Sequence, residues 1–153
     1  MNLYYLSTAL NLASLYMISG AGDCFSLKSG ELNIGGEGQI YAGGFLCAIC
    51  LNTFKSLPAI IALSFSIIIS MTASGLLLLF CAYLKKIRKV SIILSSYITS
   101  SAIIPLIDGL ITGHFRGKST NLLSTEYIPE KFRLHTIFPP GNMNFSFFLA
   151  LAL

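Results

Sequence analysis

Pro58–Leu84, PAIIALSFSIIISMTASGLLLLFCAYL, runs for 27 residues without a charge. A hydrocarbon core of about 30 Å needs roughly 20 apolar residues of helix, so this stretch predicts a membrane span that tilts or projects beyond the bilayer. It opens on a proline, which is tolerated at a helix start. Its body is Ile60, Ile61, Ile67, Ile68, Ile69, Leu76 and Phe80. On its C-terminal side, past a basic cluster, Val90–Thr112 carries Asp108 as its only charge. On its N-terminal side Gln39–Phe54 and Leu3–Ala21 are also uncharged, and a last apolar run, Phe145–Leu153, begins a further segment. The expectation is an all-α, polytopic transmembrane bundle with about four full spans, over residues 3–21, 39–54, 58–84 and 90–112. The start of a fifth lies at 145–153. Asn11 and the Ser/Thr content suit the first span to a bundle interior.

The composition agrees. Of 153 residues 54% are hydrophobic and 10% charged, with a mean hydropathy of +0.76, against about a quarter charged in a soluble domain. The net charge of +4 is small, and its largest cluster lies in one loop, which argues against nucleic-acid binding. The cysteines Cys24, Cys47, Cys50 and Cys81 sit in or beside apolar runs and predict packing, with no disulfide framework or zinc site. His114 and His135 lack a third ligand at metal-like spacing, so no metal or cofactor is expected. The first basic residue is Lys28, so the opening run lacks the charged leader of a signal peptide. The terminal run is less than half a span, and the expectation is a fragment lacking C-terminal helices and an upstream one. The alternative is a small protein ending in an interfacial anchor.

Four cations in five residues, Lys85, Lys86, Arg88 and Lys89, orient the chain, because positive loops stay in the cytoplasm. The connection over 23–38 is then also cytoplasmic, and the 55–57 turn and 113–144 loop are external. That outer loop contains Arg116, Lys118, Lys131 and Arg133 beside Glu126 and Glu130.

From Gln39 to Phe54 there are only 16 uncharged residues, roughly 24 Å of helix at 1.5 Å per residue. The glycine-rich lead-in over 30–38, GELNIGGEG, must therefore contribute to the membrane zone. Irregular backbone at that depth is tolerated only inside protein or along an aqueous cavity, as in the broken helices of transporters. Gly35, Gly36 and Gly38 permit positive φ or close backbone approach. Glu37 needs a polar partner or water, or snorkels to the interface. A nucleotide cradle is excluded because no Lys-Ser/Thr follows the glycines. Cys47 and Cys50 share an apolar helix face, a setting for packing and not for redox chemistry.

Leu32-Asn33-Ile34-Gly35-Gly36-Glu37-Gly38-Gln39 closely resembles the Asn-Ile-Gly-x-Glu-Gly-Gln signature of bacterial ABC-transporter permeases of the branched-chain amino acid/simple-sugar superfamily, particularly its nucleoside and sugar-like members. The Leu-Lys-rich stretch at Leu84–Val90 is similar to the cytoplasmic loop that follows the long span in that family. The chain departs from the pattern at Lys89, where Glu is usual, and at Ser96, where Asn precedes the tyrosine. The resemblance implies a multi-pass permease subunit of the bacterial inner membrane that imports nucleosides or sugars. It further implies a second permease subunit, a cytoplasmic ATP-binding subunit and an extracytoplasmic substrate-binding protein. No Walker-type motif occurs, so ATP hydrolysis is expected in the separate subunit and no enzymatic activity here.

Candidate pathway residues are Asn33, Glu37 and Gln39, which offer hydrogen-bonding groups to a hydroxyl-rich solute. Ser95 and Thr99 join them from a stripe with Ser91, spaced every four residues on one helix face, with Ser96, Tyr97 and Ser100 adjacent. The stripe lines a cavity or bonds to neighbouring helices. Asp108 reads as a solvated carboxylate near the outer boundary. Lys85, Lys86, Arg88 and Lys89 contact the ATPase subunit or anionic lipid. The rival classes are an ion-coupled secondary transporter using Glu37, and a truncated nonfunctional or accessory membrane protein.

Overall fold

The computed structural model describes residues 3–117, 124–134, 136–137 and 143–152. Its elements are α1 (Leu3–Lys28), α2 (Gly36–Thr53), α3 (Ala59–Arg88), α4 (Ile92–Leu110), a π-helical segment Ile111–Phe115, a 3-10 turn Glu130–Phe132 and α5 (Ser146–Leu151). Among the described residues there is no strand, only an isolated bridge between Thr136 and Asn144. Among the described residues the fold is all-helical, as expected. Two helical stretches, Ala59–Arg88 and Ile92–Phe115, are long and apolar enough to cross a membrane. Helices form over the other two predicted runs but fall below that combination of length and hydropathy, α1 through its polar Asn, Ser and Thr residues and α2 through Glu37, Gln39 and Asn52 within its 18 residues.

The chain divides into two units, Met1–Glu31 with Arg133–Leu153, and Leu32–Phe132. In the first, α1 packs against α5. Ser14 Oγ lies 3.2 Å from Ser146 Oγ, and the Asn144 N–H donates to Asn11 Oδ1 at 2.9 Å. Helix α1 continues well past Ala21, through Asp23 to Lys28, and ends where Gly30 adopts φ +80, the left-handed exit that glycine favours. Helix α5 occupies the predicted terminal run; Leu153 lies outside the described residues, as do Lys118 and His135 of the predicted outer loop.

The second unit is a three-helix arrangement in which α2 and α4 run parallel and α3 antiparallel to both. Its interior is small. Among the described residues of the unit the largest fully buried side chain is Cys81, followed by Ser66 and Ser96, while Ile60, Ile68, Met71 and Leu79 of α3 are exposed. Only 6% of the most apolar window of α3 is buried. A soluble core helix shows the reverse pattern, large apolar side chains inside and polar ones outside. Small residues at helix contacts and large ones outward are what lipid solvation selects, because the outward side chains lose nothing there and close backbone approach gains dispersion energy. Two apolar clusters complete the unit: Ala42, Ile107 and Ile111 with Phe45, Leu77 and Ile103, and Leu51, Ala62 and Phe132 with surrounding residues.

Helix α3 runs to Arg88, so Lys85, Lys86 and Arg88 form its last turn instead of a loop, where cations favour the negative end of the helix dipole. Lys89 closes the helix in the left-handed region (φ 58, ψ 21), and its N–H donates to the Lys85 carbonyl at 3.1 Å. Ser91 then caps α4 by accepting from the Leu94 N–H at 3.3 Å. At the other end of the unit, Lys131 Nζ donates to the carbonyls of Lys55 and Leu57, the latter at 3.1 Å, and so fastens the α2–α3 turn.

Candidate permeation site

The glycine motif docks the start of α2 onto α4. Helix α2 begins at Gly36, within the predicted irregular lead-in, and reaches 18 residues, about 27 Å at 1.5 Å per residue. Asn33 sets the turn before it: its Oδ1 accepts from the Gly35 N–H at 3.0 Å, and its Nδ2 donates to Gln39 Oε1 at 3.1 Å. The Gln39 side chain returns a longer bond from Nε2 to Asn33 Oδ1, at 3.4 Å. Asn33 and Gln39 are thus brought together, bracing the first turn.

The glycines act by close approach and not by positive φ. Gly35 has φ −84. A Cβ on Gly35 would lie 2.6 Å from the Ser96 carbonyl oxygen, and one on Gly38 would lie 2.6 Å from Ser100 Cα and Oγ. That proximity lets N–H groups at the start of α2, which have no partner within their own helix, donate to α4 side chains. The Ile34 N–H reaches Ser96 Oγ at 3.2 Å and the buried Gly38 N–H reaches Ser100 Oγ at 2.8 Å. From the other side, Ser74 Oγ of α3 donates to the Gln39 carbonyl at 2.8 Å. Gly36 sits half-buried at the helix start.

The remaining candidates separate. Ser95 is buried with its hydroxyl bonded to the Ser91 carbonyl at 3.0 Å, and Thr99 Oγ1 donates to the Ser95 carbonyl at 2.7 Å and meets Cys81 Sγ at 3.6 Å. Thr99 borders a seam with Gly35, Gly38, Gln39, Ser96 and Ser100 that is too narrow to admit water. Glu37 is exposed in the first turn of α2, and among the described residues its carboxylate has no hydrogen-bond or ionic partner. Lys85, Lys86, Arg88 and Lys89 are exposed at the same end of the unit as the motif.

Two features lay beyond the sequence reading. Tyr41, one turn after Glu37, donates its hydroxyl to Asp108 of α4. Asp108 is half-buried and well inside a helical stretch that continues to Phe115, not at its end. The i, i+4 spacing of Glu37 and Tyr41 was a visible signal; the pairing with Asp108, 67 positions away, was not. At the far end of the unit Asn52, Thr53, His114, Arg116, Thr125 and Glu126 surround an open cleft of about 290 Å³.

Over 130 residues, 85% of this chain, the sequence is 32% identical to the probable riboflavin import permease protein of Treponema pallidum. A stretch that long in this chain cannot omit Asn33–Gln39. The chain is homologous to ABC-transporter permeases. A second permease relative, the guanosine ABC transporter permease protein of Bacillus subtilis, is 32% identical over 74 residues, 48% of the chain. The matched segments span 34% and 21% of these two permeases, so the chain covers about a third or less of their length. No family model matches the chain, and no solved structure does. The relatives are transporter permease subunits, not enzymes. The permease signature residues therefore have a structural reading here: Asn33 and Gln39 brace the turn, Gly35 and Gly38 admit α4, and Glu37 is left facing outward.

Proposed function

We propose that this chain forms part of the solute pathway of a bacterial ABC importer for nucleosides, simple sugars or chemically similar hydroxyl-rich solutes. The observation that carries the reading is the homology to a riboflavin import permease across 85% of the chain, through the glycine motif. Riboflavin and guanosine, named for the two relatives, share a ring system with a hydroxylated five-carbon unit, and a nucleoside-like solute fits the same description. The permease domain spans the inner membrane several times, with the Lys85–Lys89 end in the cytoplasm. It works with a second permease subunit, a cytoplasmic ATP-binding subunit and an extracytoplasmic substrate-binding protein. ATP hydrolysis by the separate subunit biases alternating access of the pathway. Asn33, Glu37, Gln39, Ser95 and Thr99 are the sequence's pathway candidates, and Glu37 is favoured among them by its free, outward carboxylate.

The test is uptake by membrane vesicles carrying the protein with its second permease subunit, its ATP-binding subunit and the substrate-binding protein, supplied with labelled guanosine, riboflavin or ribose. ATP-dependent accumulation of one of them is expected, and Glu37→Gln should reduce it at least tenfold with membrane insertion unchanged. Uptake driven by a proton gradient without any ATPase would overturn the reading. Full uptake by Glu37→Gln would remove that carboxylate from the pathway.

A further inference from the structure

The exposed surface of the Leu32–Phe132 unit is not uniform. Along α3 it is apolar, with Ile60, Ile68, Met71 and Leu79 outward. Along the edge shared by α2 and α4 it is mixed, with polar groups set among exposed Ile40 and Ile93. Glu37, Tyr41 and Gly44, at i, i+4 and i+7, are exposed on one face of α2. Tyr97, Ser101 and Asp108 share one face of α4, the first two exposed and the third half-buried. The Tyr41 hydroxyl bond to Asp108 shows that these two faces meet on one side of the unit. The parallel register places Glu37 beside the Gly38–Ser100 contact, and Asp108 about 12 Å further along the axis at 1.5 Å per residue. Ionisable groups at membrane depth face a bundle interior or a water-filled cavity, since hydrocarbon cannot solvate them.

We propose that this edge, bearing Glu37, Tyr41, Tyr97, Ser101 and Asp108, is a wall of an aqueous route that admits neutral hydroxylated or cationic solutes and repels anionic, phosphorylated ones. The inference rests on the pathway reading above and adds which face lines the route and what charge it selects. The chemistry follows from the groups. Tyr41 occupies one acceptor site of Asp108, and a carboxylate has about four, so the remaining sites accept solute O–H or N–H groups. Glu37, one helical turn away on the same face as Tyr41, has all of its acceptor sites open. Two carboxylates on a confined low-dielectric wall concentrate cations and exclude anions. The hydroxyls of Ser95, Ser96 and Thr99 are bonded within the helix packing and belong to the opposite, closed side of α4.

Thiol labelling of the full chain in membranes tests this without ATP or solute. In a background with Cys24, Cys47, Cys50 and Cys81 replaced, Ser101→Cys and Tyr97→Cys are compared with Ile68→Cys and Met71→Cys. Water-soluble methanethiosulfonates, one cationic and one anionic, are the probes. The wall positions should label at least tenfold faster than the α3 positions. Relative to free thiol reactivity they should also prefer the cationic reagent by about tenfold. Glu37→Gln with Asp108→Asn should abolish that preference while leaving the Ser101→Cys thiol accessible. Labelling at 101 and 97 no faster than at 68 and 71 overturns the wall, and a charge preference that survives both isosteric changes overturns the selectivity. Because no transport step is involved, fast charge-selective labelling without uptake would count against the importer reading alone. ATP-driven uptake with unreactive Ser101→Cys and Tyr97→Cys thiols would count against the wall alone.

Discussion

Replacing Gly38 by alanine asks whether the absence of a side chain sets the distance between α2 and α4. An ideal Cβ there would lie 2.6 Å from Ser100 Cα and Oγ and 2.9 Å from Ser100 Cβ. Turning the serine hydroxyl aside cannot clear a backbone atom. Restoring ordinary contact near 3.5 Å therefore moves α2 off α4 by on the order of 1 Å. That displacement stretches the Gly38 to Ser100 bond from 2.8 Å and the Ile34 to Ser96 bond from 3.2 Å beyond useful length. Overpacking costs about 1–3 kcal/mol and the two hydrogen bonds about 1 kcal/mol each, while alanine recovers about 1 kcal/mol of helix propensity over glycine. The expected net loss is about 2–4 kcal/mol. Gly44 is the matched control, because a Cβ there meets nothing within 4 Å, and Gly44→Ala should be neutral or stabilising by up to about 1 kcal/mol. Reversible unfolding in mixed micelles, followed by circular dichroism, measures both. Adding Ser100→Gly to Gly38→Ala should recover only part of the loss, since the Ser100 Cα stays in place. If Gly38→Ala proves as stable as Gly44→Ala, the helices are not held by this contact and the reasoning fails.

The same assay carries three further expectations. Gly43→Ala should cost far less than Gly38→Ala, close to zero net, because its Cβ would meet the movable Ser74 Oγ at 2.7 Å and the lost Ser74 bond to Gln39, about 1 kcal/mol, is offset by about 1 kcal/mol of helix propensity; a loss equal to that of Gly38→Ala would count against the distinction. Ser70 Oγ is buried without a hydrogen-bond partner among the described residues, so Ser70→Ala should be neutral or stabilising by about 1 kcal/mol, and a clear destabilisation would show that the hydroxyl is satisfied. Lys89→Gly should stabilise by about 1 kcal/mol, because Lys89 holds φ 58 at the end of α3 where a Cβ is penalised; an unchanged midpoint would mean that the end of α3 relaxes freely.

The helices over the predicted runs were legible in the sequence because uncharged length and helix are nearly the same signal in a hydrophobic chain. Their ends were less so. Asp23 and Lys28 continue α1, and Lys85, Lys86 and Arg88 continue α3, because a charge that ends an apolar run does not end a helix, and cations stabilise the last turn. The importance of Gly35 and Gly38 was visible, whereas the reason was not. Glycine permits both positive φ and close approach, and only the position of Ser96 and Ser100 selects the second. Ser95 and Thr99 illustrate the opposite limit. Their four-residue spacing correctly put them on one face, but that spacing also brings each hydroxyl within reach of the carbonyl one turn back, and the bonds to Ser91 and Ser95 use that option. Tyr41 with Asp108 is a tertiary pairing that periodicity cannot contain.

The polar groups of the second unit fall into two sets with different physical duties. Ser74, Ser96 and Ser100 connect α3 and α4 to the backbone of α2 at the Gln39 carbonyl, the Ile34 N–H and the Gly38 N–H. These are main-chain groups at and near the start of α2, and the two N–H donors have no partner along their own helix. Serine suits this place because its hydroxyl bonds and its small volume still allows the glycine contact; a larger amide would bond but would force the helices apart. With those contacts closed and dry, hydration is not needed inside the packing. Glu37, Tyr41 and Asp108 are different, since ionisable side chains on the outer edge keep lone pairs that no neighbour fills. Enlarging the first set should therefore appear as lost stability with little change in charge selectivity. Neutralising the second should change selectivity while the fold holds. The contrast between Gly38→Ala and Asp108→Asn measures whether packing and solvation are separable in this helical unit.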